Sequence, residues 1–238
     1  MNDRTKAYLP FPKDLHVILN LLSVNTKWNR DKVVEFLESY EVDTFFLDLP
    51  SSFEPYFAKK LSPPADVSYS QDLIASEPII QFCWRKGIPI YCYLDDKVSE
   101  DRREIQLEFA RLVLKSKITE KINVLEWKEL IYRDLYVRES SSEFVAMKIC
   151  ENAGNKNACL NLSPEIEKFL QNEGFEIERI RLYDFQRPID KLYELASKEM
   201  HGEKVSNEAY LELIKKHIAF IDTVVEVGYE DACKFIWI

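Results

Sequence analysis

Residues 15–50, LHVILNLLSVNTKWNRDKVVEFLESYEVDTFFLDLP, constrain the fold more than any other stretch of the chain. An apolar run at 17–22 breaks into a polar loop at 23–29. A helical segment follows with Val33, Val34, Leu37 and Tyr40 as its apolar residues. A second apolar run, 44–49, ends on Asp48-Leu49-Pro50. Strand, loop, helix and strand in this order open a βαβ layout. Parallel sheets bind ligands beyond the carboxyl ends of their strands. The two ends to inspect are therefore 23–29 and 48–54.

The same alternation continues. Residues 72–85 read as a helix closed by Gly87, and 88–94 as a third strand ending on Asp95-Asp96. Ser99 reads as the cap of the next helix, which carries Ile105, Leu107, Phe109, Leu112 and Val113. Residues 122–127 fit either an edge strand or the start of a helix running to Tyr136, with helix favoured beyond Glu126. A helix over 143–152 leads to a short strand at 158–162, and Ser163-Pro164-Glu165 opens another helix with proline at its first position. Residues 175–183 alternate as an outer strand would. From Pro188 the pattern is helical, with a stripe of Tyr210, Leu211, Ile214, Ile218, Ile221 and Val225. The reading is an α/β fold: a mostly parallel sheet with flanking helices over 1–187, and a helical C-terminal appendage over 188–238 packed on it. Pro10 and Pro12 keep 1–14 irregular; 51–64 reads as a loop rich in Ser, Pro and aromatic residues, in which 53–57 could form a short helical turn across the strand ends.

Composition closes off several functions. A formal net charge of −9 over 238 residues, with no dense Lys/Arg run, argues against general nucleic-acid binding and against an anionic lipid surface. The five cysteines are scattered, with no CxxC, as expected of a reduced, cytoplasmic protein. No signal peptide and no membrane span is read. Only five glycines occur, so GxGxxG and GxxxxGK[ST] cradles are absent, as are GxSxG and HExxH. The three histidines, His16, His201 and His217, lack ligand spacing, so no zinc site is expected.

What remains is a set of polar residues at the strand ends. Asp48, Asp95 and Asp96 could converge and hold Mg²⁺, Mn²⁺ or Ca²⁺ through hard oxygen ligands. If Asp48 and Asp95 do converge, mutual repulsion costs stability, and Asp48→Asn leaves the metal-free protein as stable or slightly more so. The bland alternative is that these carboxylates cap helices. Asn25, Thr26 and Glu54 line the two loops, and Arg102 and Arg103 could meet an anionic ligand. Trp28 in the first loop could stack on a ligand or pack in the core. No catalytic residue is assigned.

The order of elements over roughly residues 15–183 resembles the superfamily that joins TraB/PrgY, ChaN-like and erythromycin esterase-like proteins. Leu21-Leu22-Ser23-Val24-Asn25-Thr26 stands where TraB proteins show Gly-Thr-Ala-His-x-Ser, and Asp48-Leu49 where they show Glu-Leu. Gly87-Ile88-Pro89-Ile90, leading to Leu94-Asp95, is similar to the third strand. Phe144-Val145-Ala146-Met147-Lys148-Ile149, with Arg138-Glu139 before it, is similar to the Met-Ala helix, and 158–174 occupies the late Gly-His segment. The first histidine is Val24 here and the late Gly-His is missing. The resemblance implies a degenerate relative, either a weak metal-assisted hydrolase or a pseudoenzyme serving as a ligand-binding or regulatory module. The alternative is a nucleotide-sensing or protein-interaction homodimer, with loops 23–29 and 50–57 meeting across a two-fold axis. Either reading takes a small-molecule ligand or a protein partner.

Overall fold

The computed structural model describes residues 16–63, 71–183 and 185–235; the expectation for the arm 1–14, and the ends of several expected segments, lie outside them. Five strands form one sheet: β1 (Val17–Leu22), β2 (Thr44–Pro50), β3 (Ile90–Leu94), β4 (Lys156–Leu160) and β5 (Glu176–Arg181). Their order is β3-β2-β4-β1-β5 and every pair is parallel. The chain is thus an α/β protein with a parallel sheet, flanking helices and a helical C-terminal part. The outer strand β5 is parallel like the rest, with Leu21 opposite Ile180.

The inner strands read as apolar runs because both faces are covered. Phe45, Leu47 and Leu49 face one way with Leu19, Leu21, Ile90 and Leu160, against Val33 and Leu37 of α1 (Lys27–Leu37) and Ile79 and Phe82 of α3 (Gln71–Lys86). Ile18, Phe46, Tyr93 and Cys159 face the other way, against α6 (Ser142–Asn152) and α7 (Pro164–Asn172). Between β2 and α3 lies the short α2 (Glu54–Ala58). Phe53 just before it and Phe57 within it stack at 6.3 Å and enter the first core, so the aromatic loop closes that core.

Strand β4 stops two residues earlier than 158–162 predicts. Asn161 takes the left-handed conformation, φ 52°, which no strand continues. On either side β2 runs on to pair Pro50 with Leu94, and β1 runs on to pair Leu22 with Arg181. The early end of β4 leaves a notch in the strand ladder at the carboxyl edge, in the middle of the sheet.

The helix after β3, α4 (Asp96–Thr119), begins earlier than a Ser99 cap would place it. Asp95 is the N-cap and its carboxylate accepts from the Val98 N–H. Residues 122–127 contain no strand; α5 (Val124–Ser140) starts there under an Asn123 cap. The C-terminal helices α8 (Pro188–Met200) and α9 (Asn207–Val227) join α4 and α5 around a third core. Phe109, Trp127, Ile131, Leu192, Tyr210 and Ile214 fill it. The predicted stripe of α9 is buried at Tyr210 and Ile214, whereas Val225 at its far end is exposed, beyond the reach of the bundle. The last helix, α10 (Tyr229–Phe235), sets Ala232 and Cys233 against Val24, Phe185 and Phe220 at the carboxyl edge of the sheet.

Each large side chain in this third core contributes roughly 1.5–3 kcal/mol by burial. Removing residues 205–238 strips Tyr210 and Ile214 from it, uncovers Trp127 and Leu192, and takes Phe220 from the edge core. The truncated protein is expected to be insoluble or aggregated, read by sedimentation after expression. A soluble monomer melting at the full-length temperature would contradict this packing. Among the described residues no helix is long and apolar enough to cross a membrane.

Candidate functional site

The notch at the end of β4 gathers the polar groups. Asn20, in the middle of the apolar β1, is wholly buried and holds the β4–α7 turn. Its Oδ1 accepts from Leu162 N–H at 3.0 Å and its Nδ2 donates to Leu162 C=O at 3.0 Å and to Glu167 Oε1 at 2.5 Å. The turn thus held presents Asn161. Asn161 Oδ1 accepts from the Ser23 N–H at 2.9 Å, and its Nδ2 donates to Asp48 Oδ2 at 2.7 Å. Three strand ends, β1, β2 and β4, are tied together through this one amide.

Helix α1 supplies the countercharge. Asn29 Oδ1 accepts from Ser23 Oγ at 2.7 Å and from Val24 N–H at 2.8 Å, and its Nδ2 donates to Leu182 C=O at 3.1 Å. With α1 fixed in this way, Arg30 is wholly buried. Its Nη2 donates to both oxygens of Asp48, at 3.1 and 2.9 Å. Nε and Nη1 of Arg30 have no partner, nor has the buried Thr26 Oγ1 one turn earlier. Unpaired donors on a buried cation cost several kcal/mol unless something satisfies them. In native proteins such groups are ordinarily satisfied by a buried water, an ion or a ligand. Asp48 is the open end of the pair, its side chain 19% exposed.

Tyr93 lies beneath, its hydroxyl donating to Leu160 C=O at 2.5 Å. Burial pushes its pKa well up, with the charge of Asp48 adding to the effect. Cys83, Cys92 and Cys159 are buried as well. Burial pushes the Cys83 thiol up to about 12 and the other two upward, so none is a thiolate nucleophile at neutral pH.

The expected acidic cluster is dispersed. Asp48 faces Arg30 and Asn161, Asp95 caps α4, and Asp96 accepts from Ser51 Oγ and Ser52 N–H at 2.8 and 3.2 Å. Burial raises the Asp96 pKa but the two serines outweigh it and hold the carboxyl below its ordinary value. Among the described residues no group of three or more His, Cys, Asp or Glu side chains could hold a metal ion. A guanidinium 2.9 Å from the Asp48 carboxylate further opposes a cation there. The donor set does not fit Mg²⁺ or Mn²⁺.

The other candidates have structural partners. Glu54 accepts from the Cys92 N–H at 3.2 Å and pairs with Lys148 at 3.1 Å, joining α2 to β3 and α6. Arg102 donates to Asp134 at 3.2 Å. Asp134 also accepts from Arg138 and Tyr193 at 2.8 and 2.6 Å; burial raises its pKa, but Arg138 and Arg102 prevail and keep it below the ordinary value. Arg102 is therefore part of the joint between α4, α5 and α8, while Arg103 is exposed. Asn25 is covered by the C-terminal helices: its Oδ1 accepts from Tyr229 Oη at 2.6 Å and from Arg187 Nη1 at 3.3 Å. Trp28 stacks on Phe185 at 5.8 Å, packed in the edge core. His16 sits at the amino edge on Gly154 C=O, 2.8 Å away.

Sequence reasoning missed Arg30 and Asn161, the two partners of Asp48. Arg30 carried a signal: with Val33 and Leu37 it falls on the buried stripe of α1, where a cation is out of place. Asn161 carried one too, since asparagine after an apolar run is well suited to a left-handed strand end. A separate open groove of about 890 Å³ runs along α5, lined by Leu125, Lys128, Tyr132 and Tyr136. It is remote in sequence from every strand end. No protein-family model matches the chain, and neither curated proteins nor solved structures match it.

Proposed function

We propose that the chain is a ligand-binding α/β protein of TraB/ChaN-like architecture, whose notch at the carboxyl edge takes a small polar molecule without a metal ion. The carrying observation is the Arg30–Asp48–Asn161 cluster, with a wholly buried guanidinium at the sheet edge where parallel folds bind ligands. Two carboxylate oxygens offer about four lone-pair directions. Arg30 and Asn161 fill one on Oδ1 and two on Oδ2, which leaves Oδ1 to accept a hydroxyl or amino hydrogen from a ligand. The sheet order brings 21–26, Asp48-Leu49 and the start of 158–174 to one edge. The dispersed carboxylates favour binding over metal-assisted hydrolysis. An interaction through loop 23–29 would first have to displace α10, which covers Asn25.

The test is a thermal-shift screen of polyols, amino compounds and nucleosides, followed by calorimetric titration of any hit. Asn161→Gly keeps the left-handed backbone and removes the amide on Asp48. It should weaken binding by about tenfold or more, equivalent to roughly 1.4 kcal/mol. Hits unaffected by both Asn161→Gly and Asp48→Asn would place binding elsewhere. Mg²⁺, Mn²⁺ and Ca²⁺ should leave the melt unchanged. An ion-dependent rise lost in Asp48→Asn would restore the metal reading.

A further inference from the structure

The first turn of α1 is built in an unusual way. Thr26 is its N-cap residue, yet the side chain makes no capping bond; its Oγ1 is buried without a partner. The first turn holds no acidic residue, although an acid there would complement the helix dipole. The Lys27 ammonium is turned to Glu77 at 2.9 Å and the Arg30 guanidinium to Asp48, so it is the backbone N–H groups and the dipole of the turn that call for an anion. That anion comes from the far end of the chain. Glu230 Oε1 of α10 accepts from the Lys27 N–H at 2.8 Å and from Gln71 Nε2 at 3.1 Å. Beside it Tyr229 Oη donates to Asn25 Oδ1, and Arg187 holds both Tyr229 and Asn25. Helix α10 joins α9 through Gly228 at φ 85°, a conformation suited to glycine and a natural pivot.

We infer that the first turn of α1 is a masked oxyanion-binding site, with the Glu230 carboxylate holding the place of a ligand's carboxylate or phosphate group. An incoming oxyanion takes the Lys27 N–H and the idle Thr26 hydroxyl, and α10 swings out about Gly228. Arg30, one turn further along the same helix, carries two unpartnered nitrogens and reaches Asp48 in the notch. The inference extends the ligand-binding reading to the charged end of the same ligand, and rests on it for the remainder of the molecule.

The probe is inorganic phosphate, added to the full chain and compared with chloride at equal ionic strength in a thermal melt. Glu230→Gln removes the competing charge and should melt about 5 °C or more higher at saturating phosphate, with less than half that shift in the wild type. Adding Lys27→Pro removes the N–H at a position where proline is tolerated, and should abolish the shift. Tyr229→Phe loosens α10 without touching the carboxylate and should respond in the same direction by less; it serves if Glu230→Gln does not fold. A Glu230→Gln response no larger than the wild type's, or one that survives Lys27→Pro, overturns the inference. So does a Tyr229→Phe response equal to the wild type's. Asp48 takes no part in this measurement, so its failure alongside an Asn161-dependent ligand would remove the masked site and leave the notch.

Discussion

Asp48→Asn is expected to lower the unfolding free energy by about 3–5 kcal/mol, the usual cost of leaving a buried charge unpaired. Arg30 is wholly buried and its charged partner is Asp48, at 2.9 Å. Neutralising the carboxylate strands a guanidinium that already has two nitrogens without partners. This reverses the sign predicted from sequence, where repulsion between Asp48 and Asp95 makes the same substitution neutral or slightly stabilising. The reversal has a simple cause: the near neighbour of Asp48 is a cation from α1, while Asp95 turns away to cap α4. Urea unfolding of the two proteins reads the difference directly. Equal midpoints and slopes would show that Arg30 does not depend on Asp48.

Acid is expected to destabilise the protein through His217. This side chain is buried in the helical core, its Nδ1 unpartnered and its ring edge-on to Trp127 at 5.9 Å. Burial, aided by the charge of Arg187 and opposed by Asp190, pushes its pKa down to about 4. In the unfolded chain the imidazole titrates near its ordinary value, about 6.5. Between these values the unfolded state binds more protons than the folded one, so stability falls as pH drops through about 6.5 and levels off below about 4. The full loss is on the order of 3 kcal/mol, of which about 2 kcal/mol is gone by about pH 5, where the carboxylates are still ionised. His217→Phe keeps an aromatic ring against Trp127 and should flatten this limb. Parallel stability curves for the two proteins between about pH 7 and 5 would contradict the assignment.

Much of the sheet was legible because burial on both faces leaves an unmistakable local trace. The runs 17–22 and 44–49 and the strand ending at Leu94 needed no partner to be recognised. What could not be read is the pairing. Nothing local places β4 between β1 and β2, for that order depends on contacts more than a hundred residues apart, such as Asn161 with Asp48. The site suffered in the same way. Asp48 stands at a strand end, as its position in the sequence implies, but its meaning is set by Arg30 and Asn161. Asn25 and Thr26 also lie where expected, yet a carboxylate from α10 covers that loop. Asp95 and Asp96 followed the blander rule, serving as helix cap and loop anchor.

If the notch binds a ligand as proposed, the buried pair Arg30–Asp48 is kept for that ligand at a cost in stability. The urea unfolding of Arg30→Met/Asp48→Leu tests it most directly. Replacing both charges by apolar groups of similar volume removes the desolvation penalty along with the pair, which is often neutral or stabilising by about 1–4 kcal/mol. The double variant should be at least as stable as the wild type, in contrast to Asp48→Asn alone, and unresponsive to any ligand that raises the wild-type melt. A double variant destabilised as far as the single one would contradict it, for the pair would then be part of what holds the sheet edge together.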